Sequence, residues 1–68
     1  MSFITVGDLL QVVSLNQDIK IYDMNGVTLY EGSNSTAPHQ FDEAYVNDVW
    51  VSENLDELVI EADYDVED

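Results

Sequence analysis

The chain has 68 residues, fifteen of them Asp or Glu against a single basic residue, Lys20, for a formal charge of −14. This length holds one domain, 1–68, and below about 70–80 residues a single core seldom supplies more than about 3–5 kcal/mol, so a simple fold with some tendency to associate is expected. The 46% apolar content is too high for a disordered polyanion, and the charge excludes direct binding to nucleic acid or anionic membrane, whose affinity comes from Lys and Arg.

At the N-terminus, Thr5 is placed to cap the backbone N–H of Asp8 while the Asp8 carboxylate reaches back, a capping box with Asp for the usual Glu. Ile4 and Leu9 stand where a hydrophobic staple needs them, and Leu9, Leu10 and Val13 repeat at helical spacing. A helix over Val6 to Val13 follows. Next, two β-rich runs flank Asn25-Gly26 between Asp18 and Gly32, which predicts a hairpin. A two-residue turn pairs Ile21 with Tyr30 and Tyr22 with Leu29, mixing aliphatic and tyrosine positions on both faces. A three-residue loop, Met24-Asn25-Gly26 with Gly26 left-handed, pairs Ile21 with Leu29 and Lys20 with Tyr30. The second is preferred, because it puts Ile19, Ile21, Val27 and Leu29 on one face and Lys20, Tyr22, Thr28 and Tyr30 on the other.

Residues 32–38 are loop-forming, and Thr36 or Ser35 can cap a second helix over Ala37 to Tyr45, with Pro38 in its first turn and Phe41, Ala44 and Tyr45 at i, i+3 and i+4. Asp48–Ser52 and Glu57–Asp63 then alternate cleanly around the turn-like Glu53–Asp56, predicting a second hairpin, and Tyr64–Asp68 reads as a frayed acidic tail. The expected architecture is α+β in the order α-β-β-α-β-β, one antiparallel sheet of two hairpins packed on a short N-terminal helix. Its expected core is Phe3, Leu9, Leu10, Val13, Ile19, Ile21, Leu29, Phe41, Leu58 and Ile60, joined by Val49 and Val51, with Trp50 on the other face.

Cysteine is absent, which removes disulfides, thiolate metal sites and thiol nucleophiles. No apolar run approaches a membrane span and the first residues lack the basic region of a signal peptide, so a cytoplasmic protein is expected. Asn34-Ser35-Thr36 fits the glycosylation pattern but has no secretory route to use it. His39 lies a helical turn from Asp42 and Glu43, a formal acid/base pair, although a lone exposed histidine beside acids is more often a solvated surface residue. Without a nucleophile elbow or a glycine-rich phosphate loop the chain reads as non-enzymatic, with no cofactor. The alternating acids Asp63, Asp65, Glu67 and Asp68 suit weak, unselective divalent-cation condensation and lack the glycine turn and closing Glu of an EF-hand loop, so no metal site is assigned.

The distribution of charge is more telling. Residues 1–41 hold four acids and the one Lys, whereas residues 42–68 hold eleven acids and no base. On an extended last strand Glu61, Asp63, Asp65 and Glu67 project from one face about 6.8 Å apart, a rigid row comparable with a nucleic-acid backbone, and Asp42, Glu43 and Asp48 can add a second row. The plain alternative is that these acids are solvated surface. Tyr22, Tyr30 and Trp50 are expected on the sheet face away from the helix, where they form either a protein–protein or homodimer contact or a second small core under the loop. The candidate partner-binding residues are therefore Asp42, Glu43, Asp48, Glu61, Asp63 and Asp65 with Tyr22, Tyr30 and Trp50.

The run Ile4-Thr5-Val6-Gly7-Asp8-Leu9-Leu10, the hairpin segments Ile19–Gly26 and Leu29–Gly32, and the closing Leu58-Val59-Ile60-Glu61 resemble small uncharacterised acidic proteins of prophages and mobile elements in Gram-positive bacteria. In size, acidity and lack of a catalytic set the chain is also similar to phage-encoded anti-CRISPR and anti-restriction proteins, several of which mimic DNA charge. That resemblance implies an inhibitor in the host cytoplasm that blocks the basic nucleic-acid site of a defence nuclease. The alternative is a structural or assembly adaptor of a phage or mobile element acting through the aromatic sheet face.

Overall fold

A computed structural model describes residues 4–54 and 56–64. Its elements are a short helix α1 (Val6–Leu10), strands β1 (Asp18–Tyr22) and β2 (Thr28–Ser33), two 3-10 turns (Asn34–Thr36 and His39–Phe41), and strands β3 (Tyr45–Ser52) and β4 (Glu57–Asp63). The capping box forms as expected: Asp8 N–H donates to Thr5 Oγ1 at 3.1 Å and Thr5 N–H to Asp8 Oδ2 at 3.5 Å. The helix stops at Leu10, short of the expected Val13. Beyond it, the buried Asn34 amide donates to the carbonyls of Leu10, Val13 and Ser14 at 3.0–3.4 Å, satisfying groups that a continuing helix would have bonded internally.

Both hairpins form, but they do not build the expected antiparallel sheet. The strand order is β2-β1-β4-β3, and the two inner strands, β1 and β4, run parallel, so the sheet is mixed. Burial accounts for the arrangement. β1 and β4 carry Ile19, Ile21, Val59, Ile60 and Ala62, all buried, and take the inner positions where neighbours cover both their edges, whereas β2 and β3, exposed or half-buried at every position, stand at the edges.

The β1–β2 hairpin combines the two registers weighed from the sequence. At its tip Asp23 N–H donates to Val27 O at 2.9 Å and Gly26 N–H to Asp23 O at 3.1 Å, and Gly26 has φ +83°, the three-residue loop with a left-handed glycine. Tyr22 accordingly pairs with Thr28. A bulge then inserts Leu29, and from there Ile21 pairs with Tyr30 and Lys20 with Glu31, the register of the rejected alternative. Leu29 and Tyr30 both pack against the core as a result.

The second helix expected over Ala37 to Tyr45 does not form. Ala37 and Pro38 are extended, Pro38 provides no side-chain cap, and β3 already begins at Tyr45. Phe41 is buried as expected and meets the ring of Tyr64 edge-on, centroids 4.8 Å apart, and residues 65–68 of the expected tail lie outside the described residues. The central core is Val6, Ile19, Ile21, Phe41, Ile60 and Ala62, with Leu9, Leu10, Val13, Leu29 and Leu58 packed around it. Val49 and Val51 share that side of the sheet by pairing with Ile60 and Leu58, yet the five-residue helix leaves the β3 edge uncovered and Val51 is 59% exposed. Phe3 lies outside the described residues.

Candidate protein-binding face

The sheet face opposite α1 is open. Residues paired directly across strands share a face, so one row across this side reads Glu31, Lys20, Val59, Trp50, and the next Tyr22, Glu61, Asp48. Glu57 stands opposite Ser52, and Asp63 opposite Tyr45. Trp50 is 46% exposed; Tyr22 and Glu61 are half-buried, Asp48 and Asp63 exposed. Three aromatic rings and at least five carboxylates therefore share one surface.

Lys20 sits inside that surface and is spent there. Its ammonium lies 3.6 Å from Glu31 Oε2 and 5.3 Å from the centroid of the Tyr22 ring. The Lys20 pKa is raised, foremost by a hydrogen bond with Tyr22 and further by the charges of Glu31 and Glu57, while partial desolvation pulls the other way. Glu57 is only 7% exposed, and its pKa is raised, first by burial, then by the charge of Glu31 and a hydrogen bond with it. The β2 side of the face is thus locally compensated. On the β3 side Asp48 and Glu61 face each other across two strands, a like-charge pair that is unfavourable in isolation, and Asp48 Oδ1 is fixed at the edge by accepting from Val49 N–H at 2.9 Å.

Of the residues singled out from the sequence, Asp48, Glu61, Asp63, Tyr22 and Trp50 meet on this face. Tyr30 does not. It packs on the core side, its ring lying across Gly32, where a Cβ would stand 2.8 Å from the hydroxyl oxygen. The hydroxyl donates to Ser33 O at 2.8 Å and lies 2.7 Å from Thr36 Oγ1. Asp42 and Glu43 belong to the turn before β3 and lie off the sheet. Asp42 O accepts from Gly7 N–H at 3.0 Å and its carboxylate meets His39 Nδ1 at 3.0 Å. Asp65 lies outside the described residues. Glu57 and Glu31 were missed. Glu57 shares the alternation of Val59 in reverse parity with Ile60 and could have been read from it; Glu31 joins the face only through the bulged register.

On the helix side a shallow groove of about 460 Å³ runs between α1 and the 3-10 turns, lined by Leu10, Val13, Leu15, Asn34, Ala37 and His39 among others. The His39–Asp42 pair stands at its rim, with His39 almost wholly exposed and the nearby Ser35 hydroxyl engaged with Ser33 Oγ at 2.9 Å. The pair has a base and an orienting acid but no positioned nucleophile. Among the described residues no group of three or more His, Asp or Glu is arranged to hold a metal ion, and no helix is long and apolar enough to cross a membrane. No family model, no curated protein and no solved structure matches the chain.

Proposed function

We propose that this chain is a non-enzymatic acidic inhibitor that occupies the basic nucleic-acid-binding site of a partner protein, such as the nuclease of a host defence system. The observation that carries the reading is the placement of Trp50 and Tyr22 among Asp48, Glu61 and Asp63 on one open sheet face, in a chain whose one basic side chain is already paired. Carboxylates steer a cationic partner over long range, and exposed aromatics then supply the desolvated anchor that charge alone does not. The compositional likeness to anti-CRISPR and anti-restriction proteins points to the same class of partner.

The test is displacement of labelled duplex DNA from a panel of purified defence nucleases at physiological salt. The parent protein should displace DNA from at least one, with an inhibition constant that weakens steeply as salt rises. The variant Glu61→Gln, Asp63→Asn, Asp65→Asn should lose displacement while keeping its circular-dichroism spectrum. Equal displacement by parent and triple variant, or none by either, would remove the reading. The uncovered valines of the β3 edge favour a second one, an assembly adaptor of a phage or mobile element docking through apolar contacts. Partner binding that is insensitive to salt and to the triple substitution, yet abolished by Val51→Asp, would select it.

A further inference from the structure

We infer that the open sheet face carries a recognition site for an arginine side chain of a basic protein segment, with the Trp50 ring as stacking platform and the Asp48 and Glu61 carboxylates as acceptors. The inference rests on the proposed docking of a basic partner through this face and specifies which cation the face prefers. Asp48 and Trp50 are two residues apart on β3 with no bulge between them, so their side chains leave the same face about 6.8 Å apart. Glu61 is the direct cross-strand partner of Asp48, and Val59, the cross-strand partner of Trp50, is buried beside it. A half-exposed indole with a buried valine as its neighbour therefore stands one residue pair along from a facing carboxylate pair.

The charge around this corner is unbalanced, since Lys20 is held by Glu31 and Tyr22 on the far side of Val59. A planar guanidinium suits the arrangement better than an ammonium. It stacks on an aromatic face while its edge donates to two carboxylates at once, whereas lysine offers a compact, strongly hydrated point charge. Asp48 is already oriented by Val49 N–H, so little side-chain freedom is lost when it accepts a second donor.

The site is tested by calorimetric titration of the full chain with octa-arginine and octa-lysine peptides at 0.15 M salt, alongside the fluorescence of Trp50, the chain's one tryptophan. Octa-arginine should bind about fivefold or more tighter than octa-lysine, as stacking plus bidentate contacts imply, and should shift the indole emission. Trp50→Leu, and separately Asp48→Asn with Glu61→Gln, should each bring the ratio of the two affinities close to one. Glu43→Gln with Glu53→Gln removes the same two charges from the turns flanking β3 and should weaken both peptides alike, leaving the ratio unchanged. Melting curves of every variant establish that the fold is kept. Equal binding of the two peptides by the parent, or an arginine preference that survives Trp50→Leu, would overturn the site. If that happens while DNA displacement persists, only the arginine site fails; if displacement is absent while the arginine preference holds, the nuclease reading fails and the site stands.

Discussion

Asn34 illustrates how far a single side chain can organise so small a chain. Its buried amide nitrogen gathers the carbonyls of Leu10, Val13 and Ser14, and its backbone N–H donates to Gln17 O, so one residue closes the segment between α1 and β1. Asn34→Ala should cost about 1–2 kcal/mol, the penalty of leaving part-buried carbonyls unpaired, and Asn34→Asp should cost more because a carboxylate cannot donate to them; urea titration measures both. The sequence offered only a glycosylation pattern at this position, because nothing local says that an asparagine amide will be buried against a segment twenty residues away. Gly26 was legible for the opposite reason. An Asn-Gly step between β-rich runs encodes its own turn, the left-handed φ of +83° is present, and open space surrounds the position, so Gly26→Ala isolates the conformational cost at about 1 kcal/mol. A loss near zero would mean the loop rearranges at no cost. Tyr30 lies between these cases: its alternation was read correctly up to the bulge, and the bulge at Leu29 then turned it to the other side.

At the scale of elements, the strands were readable and their neighbours were not. Alternation located β1, β2 and β4 within a residue or two, and the β3–β4 hairpin followed from its turn. Period-two patterns do not state which hairpin edges join, so the parallel β1–β4 contact appears only once burial of Ile19, Ile21 and Ile60 is set against the exposure of β3. The missing second helix has a similar cause: Phe41, Ala44 and Tyr45 have helical spacing, but Phe41 is the buried anchor of a single 3-10 turn between two extended stretches. The mixed sheet also creates the Glu31–Lys20–Glu57 cluster, which makes a pH prediction. Glu57 has a pKa raised above its ordinary 4.5, mainly by burial. Its proton uptake stabilises the fold fully below that ordinary value, and the contribution is lost as pH rises through the higher folded-state value. The melting temperature should therefore climb as pH falls from 7 toward the range just above 4.5, and Glu57→Gln should raise the melting temperature at pH 7 and flatten that climb. A variant less stable than the parent at pH 7 would show that the charged form is the one the cluster favours.

Over the whole molecule the chain places a charge of −14 on a body of 28 × 23 × 23 Å. Self-repulsion on that scale should make the melting temperature rise with NaCl from about 0.01 to 0.3 M, as the screening length falls from about 30 Å to below 8 Å. A flat curve would mean that the acids are dispersed or paired and that no continuous anionic face exists. The candidate surface was partly legible here too: the acids of β4 and the outward Trp50 follow from alternation, whereas the exclusion of Tyr30, Asp42 and Glu43 needed the register and the path of the connection before β3. In the proposed reading Tyr22, Asp48, Trp50 and Glu61 form one docking surface for a basic partner around the buried Val59. Amide chemical-shift mapping of the isotope-labelled chain during titration with octa-arginine tests it most directly. The largest shifts should fall on β3 and β4 at Asp48, Trp50, Val59 and Glu61, extending to Tyr22, with α1 and the 3-10 turns unmoved. Shifts centred on the groove between Leu10, Val13 and His39, or spread evenly over all acidic positions, would contradict it.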